Sequence, residues 1–263
     1  MNPNLTLYLA LAFYGAGTLV ALLSLFAREL RLQHTGLGLM VIGFLSHTVW
    51  IGTICTITGH PPLTNLPETT SFIAWLVFLA ELLLFIIYRV HAASFFVYPL
   101  VLILLSISAV VHEPFAHSPK LLSGLFAAHL LLTTVGVAAL LIGLAFGALA
   151  WLQDRALKSK TRGRLWEWIP SLNVCKVVSW RALSIGFSVY TLGLVAGVLW
   201  SYRTTAAILA LRTKEIAAIV AWMLFAVVLQ SYISGTYRKR RAMVVSAAAF
   251  IAIIVAMMGI HHG

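Results

Sequence analysis

The chain has 263 residues, 61% of them hydrophobic and only 10% charged, with a mean hydropathy of +0.99. That composition excludes a water-soluble globular domain and describes an integral membrane protein. The formal net charge of +11 would suit a nucleic-acid binder. However, the positive residues gather at the ends of apolar stretches on one side, where anionic lipid and membrane insertion account for them, so nucleic acid is excluded as a partner.

Eight apolar stretches follow in chain order, at roughly 5–26, 36–58, 71–88, 92–112, 121–150, 182–201, 215–236 and 243–260. Most approach the ~20 residues that a helix needs to cross the hydrocarbon. Their long runs of Leu, Ala, Ile and Val favour helices over the short alternating strands of a barrel. The expected fold is all-α: a polytopic membrane bundle of eight transmembrane helices, forming a single domain over 1–263. The first stretch lacks a basic leader and a small-residue cleavage site, and is read as a retained helix.

Two connections carry more than turn residues. Between the second and third stretches, His60 to Thr70 includes Pro67 and Glu68, which suit the first turn of a helix: proline loses no needed N–H there, and a carboxylate meets the positive helix end. Glu81, mid-way along the third stretch, is a carboxylate inside the membrane, either a proton relay or a structural hydrogen-bonding group. Between the fifth and sixth stretches, 154–181 carries seven basic residues around the run Leu165, Trp166, Glu167, Trp168, Ile169, Pro170. It is expected to be a basic amphipathic loop lying along the inner headgroup layer.

Lysine and arginine set the orientation. One set of alternate loops holds 14 of them: Arg28, Arg31, Arg89, Arg155, Lys158, Lys160, Arg162, Arg164, Lys176, Arg181, Arg238, Lys239, Arg240 and Arg241. The other set holds four: Lys120, Arg203, Arg212 and Lys214. Both termini are then expected on the outer side of a bacterial cytoplasmic (inner) membrane. Cys55 and Cys175 fall on opposite sides and form no C-x-x-C pair, so thiol chemistry is not expected.

The unusual inventory is nine histidines against seven acidic residues. His34, His60, His91, His112 and His117 lie at boundaries or in loops and read as solvated. His47 sits ~17 Å up its span from Gly36, near mid-membrane, and His129 lies ~14 Å below Lys120 on a helix descending from the outer face. His261 and His262 end the last span at the outer boundary, in the same leaflet as His129. Imidazoles on separate helices can sandwich a porphyrin, so these residues are candidate haem ligands, while Arg203, Arg212 and Lys214 lie on the side where propionates need cations. A hydrogen bond between helices, or an ordinary loop charge, is the plain alternative for each.

Three segments carry a family resemblance: Pro62–Trp75 (PLTNLPETTSFIAW), Pro170–Trp200 (PSLNVCKVVSWRALSIGFSVYTLGLVAGVLW) and Lys214–Arg241 (KEIAAIVAWMLFAVVLQSYISGTYRKRR). In order and spacing they resemble the cytochrome c assembly family of integral membrane proteins, the CcsA/HemX type. The resemblance implies an eight-helix haem-handling protein whose outward-facing axial ligands match His129 and His261, with His262 beside it. Haem-delivering members carry a tryptophan-rich outer motif resembling WGxxWxWDPKE. Here the corresponding stretch is SYRTTAAILALRTKE, which keeps Lys214 and Glu215 but none of the tryptophans. The histidine such members place in LHTRL is replaced by Gln230 in LQSYI, a residue able to bond a quinone, a porphyrin edge or a neighbouring helix.

The resemblance and the histidines together imply a haem-binding membrane protein that handles or transports haem b across the membrane, with bis-histidine ligation near the outer face and His47 either as ligand of a second haem or as the partner of His129. One alternative is a b-type haem protein moving electrons between a quinone and an outer acceptor, the single enzymatic possibility, since no hydrolytic or transferase site is seen. A second is a cofactor-free regulator of a haem-biosynthesis enzyme. Expected partners are membrane lipid, haem, and either another cytochrome c assembly subunit or a haem-biosynthesis enzyme.

Overall fold

A computed structural model describes residues 3–27, 29–88, 94–111, 123–159, 170–205, 213–234, 244–245, 248–249 and 251–253. Among them are seven α-helices: α1 (Pro3–Ala27), α2 (Leu30–Thr58), α3 (Leu66–Tyr88), α4 (Ser94–Val110), α5 (Gly124–Ser159), α6 (Leu172–Thr205) and α7 (Thr213–Ile233). Six are long and apolar enough to cross a membrane, and α4 is a shorter apolar helix. Large apolar side chains cover their outsides, Phe26, Val110, Ile87 and Ile233 among them, as lipid-facing surfaces require. The protein is therefore a helical integral membrane protein. Of the eighth expected span, the described residues 244–245, 248–249 and 251–253 are helical.

The chain gathers into two compact units, Met1–His117 with Lys160–Pro170, and Ser118–Ser159 with Ser171–Gly263. In the first unit α1 packs on α2 and α4, and α3 packs on α4 and α2. Two glycines let α1 and α2 close up: a Cβ on Gly36 would meet the Ala21 nitrogen at 3.2 Å, and one on Gly43 would meet the Tyr14 ring at 2.8 Å. Small residues at such contacts are how membrane helices approach where no hydrophobic effect drives them together.

The ends of α2 and α3 are built from local chemistry. Helix α2 stops at Gly59, whose φ of 76° puts it in the left-handed region and whose N–H reaches the Cys55 carbonyl, a glycine C-cap. Helix α3 starts with a capping box: Asn65 Oδ1 accepts the Glu68 N–H at 2.8 Å, while the Glu68 carboxylate accepts from the Thr64 N–H at 2.9 Å and the Thr64 hydroxyl at 2.6 Å. The expected helix start at Pro67 and Glu68 is what the structure shows.

In the second unit α5 and α6 form the main pair, with α7 against α6. Their seam is lined with glycine. A Cβ on Gly136 would lie 2.7 Å from the Tyr190 nitrogen, one on Gly186 2.8 Å from the Leu140 nitrogen, and one on Gly193 2.7 Å from the Thr133 nitrogen. Helix α7 is held by Trp222, whose Nε1–H donates to Thr191 Oγ1 at 2.9 Å and whose ring stacks on Phe187.

Of the segment 154–181 expected as a loop, the described ends are helical. Helix α5 runs through Ser159, and α6 begins at Leu172. Lys158 pairs with Asp154 at 3.0 Å one turn apart, and the Arg155 guanidinium lies over the Trp151 ring, so the charged residues continue the helix. Ser171 opens α6, its hydroxyl oxygen 3.4 Å from the Val174 N–H that donates to it, as an N-cap serine does. Of the amphipathic run, Pro170 alone lies among the described residues.

Candidate functional site

His129 occupies the second turn of α5, with its ring turned onto α6. Its Nδ1–H donates to the Gly193 carbonyl at 2.8 Å. A carbonyl oxygen only accepts, so Nδ1 carries the proton and Nε2 is the lone-pair nitrogen, the tautomer an iron-ligating histidine uses. Helix α6 makes this contact possible in two ways. Gly193 lets the backbones approach, and Gly197, one turn on, leaves the carbonyl of Gly193 uncovered.

The space is tight. A Cβ on Gly197 would lie 2.6 Å from His129 Nδ1 and 2.8 Å from Cε1. Phe126 and Trp200 complete the cluster, their centroids 4.5 Å apart and Phe126 6.3 Å from the imidazole. Arg203 stands exposed in the last turn of α6, six residues and so ~9 Å along the axis beyond Gly197. The end of the α5–α6 pair thus carries an oriented imidazole, two aromatic rings and a guanidinium.

His47 is built differently. It is completely buried in the first unit, with Nε2 2.7 Å from Ser71 Oγ and Nδ1 3.5 Å from the Tyr14 hydroxyl. Tyr14 meets its ring edge-on and Trp50 tilts against it. Both ring nitrogens are engaged by side chains of α1 and α3, an arrangement that joins three helices. Gln230 lies exposed on α7. His261, His262 and Arg212 are outside the described residues, and among those described no three of His, Cys, Asp and Glu gather as a metal-binding group. Neither Cys55 nor Cys175 is in a disulfide among the described residues.

The sequence pointed to His129 but not to Gly193, Gly197, Phe126 or Trp200. The available signal was spacing: Gly136 and Gly143 on α5, and Gly186, Gly193 and Gly197 on α6, repeat at seven and four residues, which is one helix face.

Residues 63–262 match the family model described as cytochrome C assembly protein. The chain belongs to the cytochrome c assembly protein family. Within it, this member is 26% identical over 230 residues to the cytochrome c biogenesis protein CcsA of Prochlorococcus marinus (strain MIT 9301), covering 78% of this chain and 74% of that one. It is 22% identical over 277 residues to the CcsA of Guillardia theta, covering 98% and 90%. Among solved structures, the cytochrome c haem lyase CcmF superposes with a TM-score of 0.72 at 19% identity. That match covers 98% of this chain but 47% of the lyase, so this family member spans about half the lyase's length and shares its fold.

Proposed function

We propose that this cytochrome c assembly family member binds haem at the exposed end of α5 and α6 and handles it for transfer or storage at the outer face of a bacterial cytoplasmic membrane. The observation that carries the reading is the fixed ring of His129. Its Nδ1–H bond to Gly193 at 2.8 Å sets the tautomer that leaves Nε2 as ligand, and a backbone carbonyl behind a metal-bound histidine strengthens its basicity. The family model and the CcsA relatives support the same assignment.

The residues fit a haem. His129 supplies one axial nitrogen, Phe126 and Trp200 supply aromatic contact, and Arg203 supplies a guanidinium at the wet end for a propionate. His261 and His262 are the candidates for the second axial ligand, by the charge-derived topology and the family resemblance. A haem so held, without covalent attachment, is of b type, and when bound it supplies a one-electron centre and a porphyrin that can be passed on. His47, with both nitrogens engaged by Ser71 and Tyr14, is left out of this haem site. An assembly subunit that supplies or accepts haem at this end is the partner this reading calls for.

A visible spectrum of the detergent-purified protein tests this. The expected result is a Soret band with sharp α and β bands on reduction, lost in His129→Ala and weakened in a His261→Ala, His262→Ala pair. A protein that shows no band after expression with ample haem, or whose band survives His129→Ala, removes the proposal. Rapid reduction by a quinol analogue would instead favour electron transfer over haem handling.

A further inference from the structure

The first unit contains a line of buried polar side chains that haem binding leaves without a role. At the end near the start of α3, the Glu68 carboxylate is fully buried in its capping box, and Ser71, one turn further into the helix, bonds His47 at 2.7 Å. His47 in turn faces the Tyr14 hydroxyl on α1 at 3.5 Å. Ser71, His47 and Tyr14 are each 0% exposed.

The line continues toward the other end of the unit. Thr18 lies one turn beyond Tyr14 on α1, level with the Gly36–Met40 stretch of α2, because the Cβ of a residue at 17 would meet Met40 at 2.8 Å and the Gly36 carbonyl at 3.0 Å. Its hydroxyl is buried and has no hydrogen-bond partner among the described residues. Gln33, less than one turn before Gly36, is 6% exposed, and neither its amide oxygen nor its amide nitrogen has such a partner. Glu81 lies on the buried face of α3 that also carries Ser71. Ten residues from Ser71, it is ~15 Å further along the helix. Tyr98 of α4 is the titratable group that α4 brings nearby, its ring 6.0 Å from that of Phe78.

Polar groups buried in a membrane bundle are costly. A threonine hydroxyl and both ends of a glutamine left without protein partners point to internal water, which bonds such groups at two to four partners each. One half of the unit therefore has directly bonded side chains, and the other holds buried polar groups whose hydrogen bonds water would complete.

We propose that the first unit conducts protons across the membrane, through Ser71, His47 and Tyr14 in one half and through water at Thr18 and Gln33 with the Glu81 carboxyl in the other. The step is a relay without net chemistry. His47 takes a proton on one ring nitrogen and releases the proton held on the other, and the Glu81 carboxyl accepts and returns one proton per passage, so no oxidant or reductant is consumed.

The test uses the purified full chain in phosphatidylcholine–phosphatidylglycerol vesicles that enclose the pH dye pyranine, with a potassium gradient and valinomycin imposing a potential. Internal pH is expected to change faster than in protein-free vesicles. Glu81→Gln and His47→Phe are expected to return the rate to the protein-free value, and Thr18→Val and Gln33→Leu to slow it. Gel filtration and circular dichroism establish folding; should His47→Phe fail to fold, the near-isosteric Glu81→Gln and Thr18→Val decide. A wild-type rate equal to that of empty vesicles overturns the proposal, as does a folded Glu81→Gln protein that conducts like wild type.

Discussion

Gly197 and His129 are matched in shape: a methyl group at position 197 would sit 2.6 Å from the imidazole Nδ1, closer than any real contact. The ring's position is therefore set by a missing side chain on the facing helix as much as by the carbonyl it bonds.

Gly197→Ala should consequently push the ring off the Gly193 carbonyl while leaving the histidine in place. Haem affinity is expected to fall about 10–100-fold, the usual cost of losing the group behind a metal-bound histidine. Titration of apoprotein with haemin, followed at the Soret band, measures it, and an unchanged affinity would separate the Gly193 bond from ligation.

The two membrane histidines should respond oppositely. His129→Ala is expected to abolish the haem spectrum with little loss of thermal stability. His47→Ala leaves the buried Ser71 hydroxyl unbonded, a loss of about 1–3 kcal/mol, and should lower the melting temperature while any haem spectrum persists. Paired melting curves and spectra of the two variants check this.

Arg203 is exposed, so under the proposed reading an ion pair with a propionate would be screened. Arg203→Gln should weaken haem binding by no more than about fivefold, the equivalent of ~1 kcal/mol, with the deficit shrinking at high salt. A salt-independent loss would mean that the guanidinium does something other than neutralise a carboxylate.

Asn65→Ala removes the oxygen that accepts the Glu68 N–H at 2.8 Å. Helix α3 should lose about 1 kcal/mol, within a range of about 0.5–2 kcal/mol for N-caps. Thermal unfolding in detergent reads the effect, and Asn65→Asp, which keeps an acceptor, should recover most of it.

Hydropathy made the helices legible because ~20 apolar residues have few alternatives in lipid. It misjudged where α5 and α6 end, since it reports the solvent around a residue and not its backbone. Asp154, Arg155 and Lys158 look like a loop by charge, yet they are spaced to pair along a helix. The capping box before α3 was readable because Asn65, Pro67 and Glu68 act on their own neighbours. His129 stood out by its type and depth, but its partner is a backbone carbonyl, which leaves no mark in residue identity beyond the glycines that expose it. For His47, depth alone did not reveal that Ser71 and Tyr14 arrive from two other helices.

Helices α5 and α6 have 36 and 34 residues, hence lengths of ~54 and ~51 Å, against a hydrocarbon layer of ~30 Å. Even at a tilt of ~20° each has about 20 Å to spare. The charges of Asp154, Arg155, Lys158, Lys176 and Arg181 put that surplus at the end where the two helices are joined. The lipid boundary therefore falls within two continuous helices and not at a loop, so the charged turns of α5 and α6 belong to the same rods whose apolar turns face lipid.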